Sequence, residues 1–214
     1  MYGAKEQLLP DMDTSPLLDS EGVKRVQGII GSLLCYAHAM DNKLLATLST
    51  ISSQQARATE NTAKAVTQLL DYVAMYPNDG TTYRASNMVL AAHLDASFLT
   101  KPGSCSRAGA HIFLTENDLI PRQNGPVLSI SQIIKFVIAS ATKAELAALY
   151  ITARKMIPLH ALEEMGWKQP NSPVQTDNST ATRFIIHDTI IQQQIKMIWM
   201  RLHWLRCHAA QGQF

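Results

Sequence analysis

The sequence contains few of the residues that mark several common classes of protein. Cysteine occurs three times in 214 residues, at Cys35, Cys105 and Cys207. This odd, widely spaced set argues against a disulfide framework and is typical of a reducing compartment. The ten glycines are scattered, so no phosphate-binding glycine loop is readable. Charged residues make up only 17% of the chain, which excludes the composition of a disordered tail.

Long apolar runs and leader patterns are also missing from the sequence. No stretch approaches the roughly 18 apolar residues that a membrane-spanning helix needs. The first residues lack the charged-then-apolar pattern of a secretory signal. No Ser-His-Asp or Cys-His arrangement for nucleophilic catalysis is readable either. We therefore expect an intracellular protein that is not secreted, with no membrane partner and no small-molecule cofactor.

Apolar residues, by contrast, make up 46% of the chain. That is enough for one domain with a good core, or for one domain beside a smaller helical one. The formal net charge of +2 is too mild to indicate a nucleic-acid partner. The charge is uneven, however, because Met88 to Phe214 carries 12 Lys+Arg and 8 Asp+Glu, a net of +4. A basic C-terminal half is compatible with a phosphate backbone as partner.

The chain up to Gly80 has the pattern of a small helical unit. Apolar side chains recur at helical spacing, as in Val23, Val26 and Ile30. The last helix of this unit is predicted to end before Pro77, because proline cannot continue a helix and the following Asn-Asp-Gly favours a turn. The pattern predicts helices over residues 21–42, 43–55 and 59–75.

After Gly80 the pattern changes to alternating apolar and polar residues, which is typical of strands. A turn at residues 101–104 makes the first two predicted strands a hairpin. A crossover helix then makes the fourth strand parallel to the first. Thr142 is predicted to cap this helix, with Glu145 at its third position. The predicted elements are strands over 87–98, 108–115, 131–140 and 173–176, and helices over 142–154 and 189–207.

Three acidic residues occupy positions from which their carboxylates can meet. Asp95 lies inside an apolar strand, where a charge costs free energy unless a partner or a metal compensates. Glu145 lies in the first turn of the crossover helix, and Asp177 closes the fourth strand, which neighbours the first in this topology. Converging carboxylates repel one another unless a divalent cation binds them. The sequence therefore predicts a Mg²⁺ site, also open to Mn²⁺, that suits two-metal phosphodiester hydrolysis.

Each of these acids also has a purely structural interpretation. The helix dipole favours an acid such as Glu145 near a helix N-terminus, and Asp177 has the residue type of an N-cap for a following helix. Asp95 is the hardest to explain without a partner, because burying a charge is costly. The prediction therefore depends on the order of the three acids along the expected elements.

The last predicted helix carries basic residues that indicate a contact with nucleic acid. Lys196, Arg201, His203 and Arg206 are predicted to face the phosphates of a bound duplex. The alternative is an ordinary solvated helix face. The nearby Trp199 is interpreted as a packing residue, not a base-stacking one.

Six segments of the chain resemble the C-terminal region of the pol polyprotein of copia-type LTR retrotransposons. The resemblance covers nearly the whole chain and depends on the number, order and spacing of the segments. Two of them resemble the helices that follow the polymerase palm, and four resemble the ribonuclease H part. They are Gly31–Ala37, Gln68–Val73, His93–Ser97, Ser140–Leu146, Thr176–Ala181 and Lys196–Arg206.

The resemblance implies a mixed α+β or α/β chain in two parts. Residues 1–84 would be the helical C-terminal part of a reverse transcriptase, and residues 85–214 a ribonuclease H-like mixed sheet with flanking helices. Asp95, Glu145 and Asp177 would be catalytic and hold Mg²⁺ or Mn²⁺ for cleavage of the RNA strand of an RNA–DNA hybrid. The remainder of the pol polyprotein would be a partner. The location would be cytoplasmic, in a virus-like particle, or nuclear.

The sequence departs from the family pattern in two places. Trp199 stands where the family has an acid. Family enzymes also use a fourth carboxylate after a fifth strand, and neither is readable before Phe214, so we expect the last strand to be missing and hydrolysis to be impaired. The alternative is a catalytically inactive retroelement fragment that keeps the fold and binds nucleic acid weakly. An integrase-like nuclease ranks lower, because the last helix has no acid beyond Asp188.

Overall fold

A computed structural model describes residues 13–101, 105–118, 121–136, 138–178 and 196–214. The chain divides into two compact units, with the boundary between Thr81 and Thr82. The first unit is helical, and the second contains a mixed sheet with flanking helices. In the ranges described, no helix is both long enough and apolar enough to cross a bilayer.

From residue 13 onward, the first unit contains three α-helices: α1 (Ser20–Ala39), α2 (Leu45–Ser52) and α3 (Glu60–Met75). The 3₁₀ segments Asn42–Leu44 and Gln55–Arg57 flank α2. The range 43–55 predicted for the second helix is therefore too long. The Asp41 side chain accepts a hydrogen bond from the backbone N–H of Lys43, and this contact begins a 3₁₀ turn where the prediction placed α-helix.

Side-chain caps mark the starts of α1 and α3. Asp19 accepts a hydrogen bond from the N–H of Gly22 at 2.8 Å. Thr59 and Thr62 form a reciprocal capping box, with side-chain to backbone distances of 3.2 and 3.1 Å. The apolar stripes that predicted the helices meet in one buried core. Its members are Val26, Ile30, Ala37, Leu44, Leu45, Leu48, Ile51, Ala58, Val66 and Leu69.

The second unit is built on a four-stranded mixed sheet. Within the described ranges the strand order is β3-β2-β1-β4, with β4 parallel to β1 and the other pairs antiparallel. Both the predicted hairpin and the predicted pairing of the first and fourth strands are confirmed. The strands are β1 (Val89–Lys101), β2 (Cys105–Thr115), β3 (Pro126–Ile133) and β4 (Val174–Thr176).

The range 131–140 predicted for the third strand is wrong. β3 already ends at Ile133, where the N–H of the next residue, Ile134, donates to the carbonyl of Ser106. The last residue of β3, Ile133, pairs with Arg107 of β2. Ile134 and Ile138 are nevertheless buried in the core, so an apolar connecting segment has the pattern of a buried strand.

Helix α4 (Ala141–Met156) crosses from β3 to β4 and packs against the sheet. Its N-cap is Ser140, whose hydroxyl accepts a hydrogen bond from the N–H of Lys143. The prediction of Thr142 as cap with Glu145 at the third position is therefore wrong, because the helix starts earlier. Glu145 has no capping role and its side chain instead reaches β1.

Helix α5 (Lys196–Ala210) also packs against the sheet unit through Leu202 and Leu205, which are both buried. The predicted helix began at residue 189, and residues 189–195 lie outside the described part of the chain. Beyond the helix, Gly212 has a φ of +72°, a value that suits glycine. The chain turns there, and Phe214 packs against the core.

Candidate metal centre

The parallel pairing of β1 with β4 places Asp95 and Asp177 at the same level of the sheet. The last three paired positions are Ala92 with Val174, His93 with Gln175, and Leu94 with Thr176. Asp95 and Asp177 are the residues that follow the last pair. A shift of one residue in this register would send one of the two side chains to the other face.

Glu145 joins the two aspartates from the first turns of α4. Its Oε1 accepts a hydrogen bond from the backbone N–H of Ala96 at 3.1 Å, and its Oε2 accepts one from the hydroxyl of Thr176 at 3.3 Å. Only 5% of Glu145 is exposed. One carboxylate therefore bonds to β1 and to β4 at once, which places it between the two strands that carry the aspartates.

The three carboxylates converge. One oxygen from each of Asp95, Glu145 and Asp177 lies within 4.8 Å of the others, and both aspartates are exposed while Glu145 is buried. Opposite ligands in a Mg²⁺ octahedron are about 4.2 Å apart. A small closing movement would therefore bring the three oxygens onto a single ion, and the donor set fits a hard divalent cation.

Electrostatics around Glu145 also suit a cation. Burial raises the pKa of this carboxyl above its ordinary value of 4.5, and the charges of Asp95 and Asp177 raise it further. The hydrogen bonds from Ala96 and Thr176 oppose that rise. The protein thus holds the carboxyl where its ionised form is costly, and a bound cation would offset that cost.

The structure brings together all three acids that the sequence indicates, while their catalytic and metal-binding roles stay predictions. No protein-family profile, curated protein or solved structure matches the chain.

A polar row of the sheet lies next to the acids. His93 pairs with His111 across the strands, and both rings contact Phe113, with centroids 5.0 and 5.2 Å apart. The side-chain amide of Gln123 lies 3.0 Å from Nδ1 of His93. Burial lowers the pKa of His93, and the charge of His111 lowers it further. The neutral form of the His93 imidazole is therefore favoured, and its buried Nε2 has no hydrogen-bond partner among the described residues.

The basic residues predicted on the last helix do not share one face. Lys196 begins α5, but its side chain lies outside the described part of the structure. The guanidinium carbon of Arg201 lies 3.6 Å from the ring centroid of Phe136. His203 is exposed and roughly 200° away around the helix. Arg206 is half-buried and lies three residues after His203, about 60° away around the helix, so these two are neighbours on one face. Their part in nucleic-acid binding stays a prediction.

Sequence reasoning missed one basic residue that lies close to Arg201. Lys143 and Arg201 line the same small pocket between α4 and α5, together with Phe136, Leu146, Ala147, Leu202 and Leu205. Lys143 is two residues from Glu145, so the pocket begins on the same turn of α4 as the carboxylate cluster. A lysine two residues before a predicted site acid is a signal in the sequence, but no sequence pattern links it to Arg201.

Proposed function

We propose that the second unit is a metal-dependent phosphodiesterase of the ribonuclease H type, which cleaves the RNA strand of RNA–DNA hybrids with Mg²⁺ or Mn²⁺. The observation that carries this proposal is the convergence of one carboxylate oxygen from each of Asp95, Glu145 and Asp177 within 4.8 Å. The strand order and the crossover helix, with acids on β1, α4 and the end of β4, are compatible with that fold.

The three acids have different roles because they differ in burial. Asp95 and Asp177 are exposed and face solvent, where a phosphate group of a substrate can approach. Glu145 is buried, and its two hydrogen bonds hold its orientation. A divalent cation held by these oxygens would activate water and stabilise the charge that develops on the phosphate and on the leaving oxygen. Removing any one acid would leave the cation with too few protein ligands.

A pair of cationic side chains on the second unit supports a polyanionic substrate. Lys143 and Arg201 line one pocket, and Arg201 also lies 5.4 Å from the ring of Tyr150. The sequence of α5 contains no acid, and the single acid of α4 is Glu145. Cationic groups interleaved with aromatic rings are typical of nucleic-acid surfaces, where phosphates pair with the cations and bases stack on the rings.

The origin of the chain belongs to the same proposal. The copia-type motifs support a retrotransposon polyprotein as its source, with the remainder of pol as partner and an intracellular location. These points depend on the sequence motifs alone, whereas the hydrolase proposal also depends on the geometry of the acids.

The test is cleavage of a labelled RNA–DNA hybrid by the full chain, with Mg²⁺ and separately with Mn²⁺. We expect cleavage of the RNA strand that is lost in Asp95→Asn and kept in Asp118→Asn, a control acid on the loop after β2. Single-stranded RNA and duplex DNA should stay intact. If a folded chain binds the hybrid without cutting it, the hydrolase proposal fails and a non-catalytic nucleic-acid-binding fragment takes its place.

A further inference from the structure

The strand that ends at Asp177 is very short. β4 contains three residues, and its pairing with β1 spans three positions, from Ala92 with Val174 to Leu94 with Thr176. Three paired positions provide few cross-strand contacts to hold a register. The alignment of Asp177 with Asp95 therefore needs support from outside the strand itself.

Gln169 supplies such support through its side chain. Its Oε1 accepts a hydrogen bond from the backbone N–H of Leu90 at 2.9 Å. Its Nε2 donates to the backbone carbonyl of Met88, also at 2.9 Å. A primary amide offers one acceptor and a donor side by side, as a peptide group does. Gln169 thus continues the pairing along β1, on the side of the strand from which β4 later pairs.

The amide of Gln169 is itself held in place. Its Nε2 also donates to the carbonyl of Trp167 at 3.2 Å, and its backbone N–H donates to Oε1 of Glu163 at 3.2 Å. The turn that precedes it contains Gly166, whose φ is +92°, a conformation that other residues rarely adopt. Hydrogen bonds at the backbone N–H and at the side-chain amide therefore both orient Gln169 toward β1.

A second hydrogen bond attaches the segment that follows Gln169 to β1. The N–H of Ala92 donates to the carbonyl of Pro173 at 3.0 Å. Ser172, which is fully buried, lies with its hydroxyl 3.0 Å from Nε2 of His160. From Gln169 to Val174 the chain is thus attached to Met88, the residue before β1, and to Leu90 and Ala92 of β1.

We propose that Gln169 is a positioning residue for the carboxylate cluster. Its amide sets the register of β4 on β1, and that register decides whether Asp177 meets Asp95 and Glu145. This role rests on the metal centre proposed above. Gln169 touches neither substrate nor cation, so it acts only through the strand.

The test measures Mn²⁺ binding to the full chain by electron paramagnetic resonance, with thermal unfolding recorded for each variant. Gln169→Met keeps the length of the side chain and removes both hydrogen bonds to β1. We expect it to weaken Mn²⁺ binding about tenfold, the low end of the effect seen when a residue that orients a metal ligand is removed. Gln169→Glu keeps an acceptor for Leu90 but places a carboxylate oxygen against the carbonyl of Met88, so it should weaken Mn²⁺ binding as well.

Two matched variants separate positioning from a general loss of stability. Gln132→Met makes the same exchange at an exposed position of β3 and should bind Mn²⁺ like the wild type. Ile112→Val trims a fully buried residue of the sheet core and should lower the melting temperature without weakening Mn²⁺ binding. If Gln169→Met misfolds, the comparison is made with Gln169→Glu.

The outcomes distinguish this proposal from the one on which it rests. A wild-type chain that binds no Mn²⁺ would remove the metal centre and, with it, any role for Gln169 in positioning it. A wild-type chain that binds Mn²⁺ while both Gln169 variants bind it equally well would leave the centre standing and overturn the positioning role. An equal loss in Ile112→Val would overturn it too, because the effect would then follow stability alone.

Discussion

The carboxylate of Glu145 accepts a hydrogen bond at 3.1 Å from the main-chain N–H of Ala96, the residue that follows Asp95. A helix acid and a strand acid are thereby held next to each other by the backbone of the strand. The hydroxyl of Thr176 bonds to the other oxygen of Glu145 and ties it to the residue before Asp177. The cluster is thus assembled from three elements before any cation is bound.

Glu145→Gln should stabilise the metal-free protein near neutral pH. The pKa of Glu145 is raised by burial and by the two aspartates, so its ionised form costs stability. That cost is absent at low pH and appears as the pH rises from about 4.5, the ordinary pKa, through the folded value. Each kcal/mol relieved would raise the melting temperature by roughly 3 °C. Differential scanning calorimetry in EDTA at pH 4 and pH 7 measures this.

The melting temperature of Glu145→Gln should respond little to added metal. Excess Mn²⁺ should raise the melting temperature of the wild type by mass action and leave Glu145→Gln nearly unchanged. A matched exchange at the exposed Glu164→Gln should keep the wild-type response. An equal Mn²⁺-induced rise in Glu145→Gln would show that this carboxylate is not a ligand.

Arg201→Gln should weaken binding of an RNA–DNA hybrid and reduce its dependence on salt. Arg201 lies over Phe136 in the pocket that it shares with Lys143. Loss of one phosphate contact reduces the slope of log Kd against log salt by about 1. Fluorescence anisotropy over a series of KCl concentrations gives the slope.

The control for Arg201 is Lys168→Gln, which removes the same charge from an exposed position between α4 and β4. This variant should retain the wild-type slope. If both variants lower the slope equally, only the net charge of the unit matters and the pocket makes no specific contact.

Ser140→Ala should destabilise the sheet unit more than Thr142→Ala. Ser140 caps α4 by accepting from the N–H of Lys143, and loss of an N-cap costs about 1 kcal/mol. Thr142 lies within the helix, where alanine has the higher helix propensity, so Thr142→Ala should be neutral or slightly stabilising. Urea unfolding of both variants compares them, and a larger loss in Thr142→Ala would contradict the cap at Ser140.

Asp13→Asn should flatten the acid dependence of the helical unit. Hydrogen bonds from Ser15 and Thr59 lower the pKa of Asp13 from 3.8 to about 2. A carboxylate with a lowered pKa stabilises the fold above its unfolded value, and that contribution is lost as the pH falls through 3.8 to about 2. The melting temperature of the wild type should therefore fall more between pH 4 and pH 2 than that of the variant. An equal fall in melting temperature for the wild type and the variant would show that Asp13 does not contribute to the acid dependence of stability.

The sequence predicted the strand neighbours better than the strand ends. The pairing of β1 with β4 follows from chain order and the handedness of crossover connections, and the structure confirms it. The end of β3 was misplaced because Ile134 and Ile138 continue an apolar run. These two residues are buried because they pack under α4. An apolar residue buried beneath a helix cannot be distinguished in the sequence from one buried in a strand.

The candidate site likewise has a part that the sequence predicts and a part that it does not. By itself the sequence determined which acids are candidates, since Asp95, Glu145 and Asp177 fall on elements whose order brings them to one end of the sheet. Only the tertiary structure decided how they meet. The hydrogen bonds from Ala96 and Thr176 to Glu145, the pocket shared by Lys143 and Arg201, and the amide of Gln169 on β1 all join residues far apart in the chain. Periodicity and motif spacing report local conformation, whereas contacts of this kind exist only once the strands have paired and the helices have packed.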